Sequence, residues 1–418
     1  MRIDAFVQVG ATRDGLDAYL DCARRRGLPA VLVETPAYLR WRRVLGRRPF
    51  DLEVGVTEPG DPEHVRAALA AQGLAPVLLL AGFERYAPSA FAAARSLGVA
   101  PWPAVGRDFA PLDKLGQRAA LAGRAPEVRQ PRHVRWNPVA GLPAAAAGLR
   151  FPQVVKPADG GGGLGVMFVR DARERDSALR SVLRTPNYDG SPFSAILVEE
   201  YVEGPEFSIQ GIAHDGVGTV LTTCEKLTAH EPVGTDPGLR GFRELGHIGT
   251  HGAYADPAFV DLVSRCLAAT GYREGPFHVD VIRSERGPEF VEMGFRLSGG
   301  GLVGLVERIT GADWAEWTFR AHLGEGVPPL PAPRAMVVGQ ANLIDEREFM
   351  IAELLGSQNP DVRTVRATAP GDEVPAEDVP RLASDRQRHV GVGRVIVGGR
   401  LGDVRTALHR CLAGRLAA

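Results

Sequence analysis

Along the first hundred positions, hydrophobic residues fall into two alternating rhythms. Continuous apolar runs at Ile3–Val9, Ala30–Glu34 and Pro76–Leu80 read as buried strands. Between them, apolar positions recur at helical spacing over Arg13–Arg26, from Asp61 onward and over Pro88–Leu97. Asp61 followed by Pro62 is a helix start, because Pro suits the first helical position. Strand and helix in alternation predict a parallel sheet with helices on its faces, a Rossmann-like βαβ unit over residues 1–105. The stretch Leu39–Arg48 carries five arginines beside Trp41 and reads as a solvated face or loop, or as a site for an acidic partner.

Residues 106–150 are Ala-rich and read as helical, with Pro and Gly breaks near 125–131 and 138–143. Strand patterns return at Phe151. VPPLPAP, from 327, reads as a linker. Beyond it lie expected strands at Ala335–Ala341 and Arg394–Val397, and a last helix capped by Asp403 with Val404, Leu408, Cys411 and Leu412 as its apolar stripe. The chain therefore divides into 1–105, 106–328 (itself in halves, 106–198 and 199–328) and an α+β region over 329–418.

Composition narrows the class. The chain has 418 residues, 44% hydrophobic and 24% charged, which is a globular balance. A net charge of −1 gives no field for nucleic acid or an anionic membrane. No apolar run approaches the roughly 20 residues of a membrane span, and the opening MRIDAFVQVG lacks the form of a secretory signal. Cys22, Cys224, Cys266 and Cys411 make neither a zinc spacing nor a disulfide framework, so a reducing, cytoplasmic setting is expected. Of 49 basic residues only three are lysines, Lys114, Lys156 and Lys226. In so arginine-biased a chain, the lysines that remain are candidates for places needing a compact point charge.

Two segments carry chemistry. In FPQVVKPADGGGGLGVMFV, a strand leads into Gly160–Gly163 and Gly165, and a second strand follows at once. Glycines without a Cβ let backbone N–H groups approach a polyanion, and Lys156 stands at the base of the loop. The segment lacks the strand–loop–helix order of a P-loop, and GATRDG after the first strand lacks a dinucleotide fingerprint. In FHVDVIRSERGPEFVEMG, two strands flank the turn SERG. A turn centred near Arg286 sets Asp280 opposite Glu292 on one face. Two facing carboxylates need a cation, and Mg²⁺ is the natural one. The register could also be off by one, or Arg283 or Arg286 could neutralise the acids. Just beyond, Arg296 precedes the run Gly299–Gly301 and offers a fork for carboxylate or phosphate.

Over roughly residues 1–330 the chain resembles the ATP-grasp superfamily. The resemblance implies an ATP-grasp fold with the N-terminal βαβ domain, a two-part ATP-grasp domain and a small C-terminal α+β region. It implies that Lys114, in Asp113–Lys114, and Lys156 bind nucleotide phosphate under a cover of Gly161, Gly162 and Gly163. The same resemblance implies that in ILVEEYVEGPEFSIQGI, Glu199, Glu200 and Val202 form the adenine hinge and Glu206 holds the ribose. The metal acids fall on Asp280 and Glu292. One departure stands out: the closing E-x-N motif is here Glu292–Met293–Gly294, and glycine cannot ligate. The E-x-G-x-R form is similar to the L-amino acid ligase branch, which joins amino acids through an acyl phosphate. That likeness implies that Glu244 meets a substrate amino group, His247 a carboxylate or oxyanion, Lys226 the γ-phosphate and Arg296 the acyl phosphate, with the Gly-rich hairpin and the loop 229–245 as lids.

The expected activity is ATP-dependent carboxylate–amine ligation, with ATP and Mg²⁺ (or Mn²⁺ in its place) as cofactors, small-molecule acid and amine substrates, and a homodimer as the assembly. The alternatives are an ATP-grasp ligase for other metabolites, a phosphotransferase, and a nucleotide-binding regulator without catalysis. A biotin-carrying carboxylase is disfavoured, since no lysine is left to carry biotin.

Overall fold

A computed structural model describes residues 3–138, 141–142, 144–188, 190–233, 236–335, 337–367 and 391–416. The N-terminal strands are β1 (Ile3–Val9), β2 (Ala30–Glu34), β3 (Leu52–Gly55) and β4 (Leu74–Ala81), parallel and in the order β3-β2-β1-β4. The first helix, α1 (Ala18–Arg25), starts later than the periodicity suggested. Residues 11–17 are instead drawn into a loop by Glu34, whose carboxylate accepts from Ala11 N at 3.1 Å and Arg13 Nη1 at 2.9 Å.

The arginine stretch is a helix and turn with a solvated face, on which Arg40, Arg43 and Arg48 are exposed. Thr35 caps α2 (Pro36–Val44), which buries Trp41 and Arg42. Arg42 donates to Asp17 Oδ2 at 3.2 Å and to the Arg48 carbonyl at 2.8 Å, so its acidic partner lies inside this chain. Helices α3 (Pro62–Ala71), capped by Asp61, and α4 (Ala87–Leu97) follow the expected pattern.

Residues 106–150 are mostly not helical. Among the described residues there, only α5 (Lys114–Arg124) is an α-helix, and β5 (His133–Trp136) is a strand. Pro126, Pro131 and Pro138 lack the N–H that a helix needs, which outweighs the alanine content.

The large sheet has twelve strands among the described residues. Its first half holds β6 (Gln153–Pro157), β7 (Met167–Val169) and β8 (Ile196–Glu200), with α6 (Ala172–Arg184) packed on it. Its second half holds β9 (Glu206–His214), β10 (Val217–Val233), β11 (Asp236–His251), β12 (Gly275–Ser284) and β13 (Gly287–Gly294). Helices α7 (Pro257–Thr270), α8 (Leu302–Thr310) and α9 (Trp314–His322) cover this half. Of residues 229–245, expected as a loop, 229–233 lie on β10 and 236–245 on β11.

The last region adds β14 (Val337–Leu343), β15 (Val362–Arg366) and β16 (Gly393–Gly399) to the same sheet, with α10 (Glu346–Gln358) and α11 (Leu401–Cys411) against them. The strand expected from Ala335 begins at Val337; Met336 lies outside the described residues. Arg400, not Asp403, is the N-cap of α11; Asp403 sits in its first turn, where a negative charge favours the helix dipole. Val404, Leu408, Cys411 and Leu412 are buried as the stripe required.

One strand organises the site. On the side away from β10, β11 pairs with β7 at Arg240 and Gly241, then with β14 from Gly246 to Thr250. Glu244 falls in the interval between these two partners.

Candidate active site

The carboxylate hairpin forms by an unforeseen route. Ser284 faces Gly287, so the turn centres between Glu285 and Arg286, half a residue earlier than assumed. That register alone would set Asp280 opposite Val291. A bulge between Asp280 and Val281 corrects it, and Asp280 pairs with Glu292 after all. Neither nearby arginine neutralises them: Arg283 pairs with Asp256 at 2.9 Å and Arg286 with Glu289 at 2.5 Å.

The lysines do. Lys114 lies 2.7 Å from Glu292 Oε2 and donates to the Gly160 carbonyl at 2.7 Å, tying α5 to the Gly-rich loop. Lys226 donates to Asp280 and, at 2.7 Å, to Glu206, with Glu244 at 3.7 Å. Lys156 lies 2.6 Å from Glu199 Oε2. The three lysines, separate in sequence, thus meet five of the predicted carboxylates in one region: Glu199, Glu206, Glu244, Asp280 and Glu292.

Charge is unevenly shared there. Glu199 is buried between two cations, Lys156 and Arg118, the latter bonding its other oxygen at 2.8 and 3.0 Å. Burial opposes ionisation, but the two cations bring its carboxyl down to about 2. Lys156 is pulled below the usual lysine range, first by burial, with Arg118 and Lys114 adding repulsion that one shared carboxylate does not cancel. Counting Lys114, Lys156 and Arg118 against Glu199 and Glu292, this corner of the site holds one more cation than anion. Lys226 is the reverse case: burial works against its charge, but Asp280, Glu206 and Glu244 hold it protonated well above the ordinary range. Glu206 is raised by burial and by its acidic neighbours, against Lys226. Lys114 holds Glu292 well below the ordinary carboxylate range despite burial.

The hinge splits by strand periodicity. Glu199 points to Lys156, whereas Glu200 points away, bound by Arg132 at 3.1 Å and Arg150 at 3.0 Å. Its side chain is therefore not part of the lysine cluster. Val202 follows β8, and Gly204 lets the chain pass: a Cβ there would sit 2.2 Å from the Arg283 carbonyl.

His247 is buried on β11, opposite Lys226 on one side and Gln340 on the other. Its Nε2 is 3.4 Å from Glu244 Oε1 and has no hydrogen-bond partner. Burial, with Lys226 and Arg394 adding to it, lowers its pKa, so the ring is neutral near pH 7. The glycine run abuts this pair: a Cβ on Gly300 would meet Glu244 Oε1 at 3.3 Å. Arg296 is held elsewhere, by Glu84 at 3.0 Å and by the Leu297 carbonyl at 2.6 Å.

Several neighbours escaped the motif reading. Gln117 and Arg118 lie three and four residues after Lys114, so helical spacing puts them on its face. Arg118 balances Glu199. Gln117 both donates to the Met293 carbonyl at 2.7 Å and accepts from Met293 N at 2.9 Å, fixing the strand beside Glu292. Glu84, Gln340 and Arg394 come from remote segments and had no local signal.

The residues fit a divalent cation. Asp280 Oδ1 is buried without a partner, and it belongs to the carboxylate pair already facing across the hairpin. Oxygen donors of this kind suit Mg²⁺. The glycines of the 160–165 loop suit a polyanion: Gly162, Gly163 and Gly165 all have positive φ, and nothing stands within 4 Å of a Cβ on Gly161.

Strand–glycine loop–strand, hinge and carboxylate hairpin together define an ATP-grasp fold, and residues 149–303 match the ATP-grasp domain family. The chain also resembles particular ligases. Dapdiamide A synthase of Enterobacter agglomerans is 26% identical over 197 residues, 46% of this chain and 41% of that one. D-alanine–D-alanine ligase of Pseudomonas entomophila is 27% identical over 217 residues, 49% of this chain and 61% of that one. The chain thus matches less than two thirds of the length of these relatives. In overall fold it resembles the solved L-amino acid ligase from Bacillus licheniformis, with a TM-score of 0.67 and 18% identity over 99% of this chain and 98% of that one. Among the described residues, no helix is long and apolar enough to cross a membrane.

Proposed function

We propose that the protein is an ATP-dependent carboxylate–amine ligase that forms an amide bond between small, amino-acid substrates through an acyl phosphate, releasing ADP and phosphate. The observation that carries this reading is the meeting of Lys114, Lys156 and Lys226 in one region with the Asp280–Glu292 pair and the Glu244–His247 pair. A site that concentrates positive charge next to facing carboxylates suits a nucleotide triphosphate.

In this reading Lys114 and Lys156 hold phosphate oxygens under the glycine loop. Glu206 holds the ribose and the backbone at Glu200–Val202 the adenine. Asp280 and Glu292 hold Mg²⁺, which spreads the phosphate charge. A substrate carboxylate oxygen attacks the γ-phosphorus, and the bond from that phosphorus to the β-bridging oxygen breaks. Lys226 neutralises charge on the transferred group. Glu244 binds the ammonium of the second substrate and takes one proton from it, freeing the amine to attack the acyl carbon; the second proton leaves the nitrogen with the departing phosphate. Neutral His247 donates to the tetrahedral oxyanion, and phosphate leaves. Arg296 turns from Glu84 to the acyl phosphate. ADP rather than AMP is the nucleotide product.

The test is incubation of the purified protein with ATP, Mg²⁺ and pools of amino acids, with ADP, AMP and phosphate measured beside mass spectrometry of products. Amino-acid-dependent ADP and phosphate, with a condensed product one water lighter than its parts, is the expected result. ATP binding without turnover in any pool would move the reading to a nucleotide-binding regulator, for which Gly294 is the one favourable feature. Turnover only with a non-amino acid would move it to a ligase of other metabolites.

A further inference from the structure

Strand β16, near the end of the chain, brings an arginine to the site. On β11, Leu245 has no partner across on β10: Leu227 faces Gly246 and Thr228 faces Glu244. This bulge turns Glu244 onto the face that carries His247, where both meet Lys226 or each other. The same face continues outward through the sheet. Gln340 on β14 is opposite His247, Asn342 is two residues further along β14, and Arg394 on β16 is opposite Asn342. From Gln340 to Asn342, β14 runs toward the Glu244 end of β11. Register alone therefore sets Arg394 on the face of Glu244 and His247.

The contacts agree. Gly300 and Gly301, at the start of α8, lie over this face. Gln340 donates to the Gly300 carbonyl at 2.8 Å, and a Cβ on Gly300 would meet Glu244 Oε1 at 3.3 Å and His247 Cε1 at 3.6 Å. A Cβ on Gly301 would overlap Arg394 Nη1. The guanidinium thus packs on bare backbone, one residue along from the glycine that abuts Glu244.

The arginine is also uncommitted. Its Nε donates to Asn342 Oδ1 at 3.1 Å, and neither Nη has a hydrogen-bond or ion-pair partner among the described residues. Burial disfavours its charge, Asp14 offsets this only in part, and Arg308 adds repulsion. Asp14 itself is engaged by Leu16 N at 3.1 Å and Gly301 N at 3.3 Å. A planar fork with both arms free suits a carboxylate. Distance decides which one. Arg394 starts two strands beyond His247 and three beyond Lys226, about 10 and 14 Å at the usual strand spacing. The carboxylate to be phosphorylated belongs beside Lys226 and the Asp280–Glu292 pair, whereas a carboxylate on Arg394 lies on the Glu244 side, away from that chemistry.

We propose that Arg394 binds the α-carboxylate of the amine-donating substrate, whose ammonium lies on Glu244, so that this substrate is a free α-amino acid rather than a simple amine. This rests on the ligase reading above.

The test uses the full chain with ATP, Mg²⁺ and each amino acid of the pools as the acid. Amine donors are offered as free amino acids and as their α-amides, and hydroxylamine is offered in parallel to trap the acyl phosphate as a hydroxamate. Free amino acids should be condensed at least roughly 30-fold more efficiently, in kcat/KM, than their α-amides, as expected for hydrogen bonds to a charged group. Arg394→Gln should reduce that preference to below about threefold, since the charged donors are gone. Arg394→Lys, which keeps the buried charge but not the fork, should fall between the two, and it decides the question where the glutamine variant does not fold. Hydroxamate formation in a wild type that uses α-amides as well as free amino acids would overturn the role of Arg394 and leave the ligase reading standing. So would a wild-type preference that the variants keep in full. No hydroxamate and no condensed product with any acid would overturn both.

Discussion

Replacing Lys156 by methionine separates a phosphate ligand from a structural ion pair. Removing one partner of a buried pair ordinarily costs about 3–5 kcal/mol, because the other charge is stranded. Here Glu199 keeps Arg118, which bonds its second oxygen twice. The variant also removes the ammonium that burial, Arg118 and Lys114 disfavour. The ligand-free protein should therefore lose less than about 1 kcal/mol, and it could gain stability. Nucleotide binding should fall much further. A hydrogen bond to a charged group contributes about 1.5–3 kcal/mol, and a close charge pair at an effective dielectric of 20 about 4 kcal/mol. A loss of about 2–4 kcal/mol is about 30- to 700-fold in Kd. The assay is calorimetric titration with a non-hydrolysable ATP analogue, alongside thermal melts with and without it. Lys156→Met should melt near wild type alone and lose most of the ligand-induced shift. A melt lowered by the full cost of a broken buried pair, with affinity within threefold of wild type, would refute the argument.

Glu292→Gln should abolish metal-dependent ADP release, by about 100-fold or more in rate, because it removes one of the two facing carboxylates and strands Lys114; near-normal turnover would move the metal elsewhere. His247→Ala should lower the yield of condensed product per ADP while leaving nucleotide affinity within about threefold; the reverse pattern, read from the same product assay and a titration, would take His247 out of the substrate site. Glu199→Gln should be destabilising by roughly 3 kcal/mol at neutral pH, from a carboxyl held at about 2 against an ordinary value near 4.3. That contribution is present above pH 4.3 and lost as pH falls toward 2, so the gap between variant and wild type in thermal melts should close on acidification. A gap independent of pH would mean that the charge on Glu199 is not what stabilises the fold. Buried His247, whose pKa is lowered, adds a loss of stability as pH falls below about 6.5, where the unfolded chain takes up the proton and the folded one does not.

Local chemistry carried much of this in the sequence. The spans of β1 and β2, the Asp61 cap and the glycine loop between two strands were all legible, because periodicity, capping and turn residues act over a few positions. The rarity of lysine was informative for the same reason: with arginine used nearly everywhere, three exceptions marked the charged site. Where reading failed, a longer-range force had intervened. Proline overrode alanine over 125–138, a buried Glu34 pulled residues 11–17 out of helix, and a bulge, not the turn, set Asp280 opposite Glu292.

What the sequence by itself determined, then, is the set of elements and the identity of the charged groups. What only the tertiary structure decided is their pairing: Glu199 between Lys156 and Arg118, Glu200 turned to Arg132 and Arg150, and Glu84 on Arg296. The physical reason is that a pattern along a chain fixes which face a residue takes, whereas the partner on that face comes from strands and helices tens to hundreds of residues away. Burial then makes each such pairing strong, because a charge removed from water must find its counter-charge within a few ångströms.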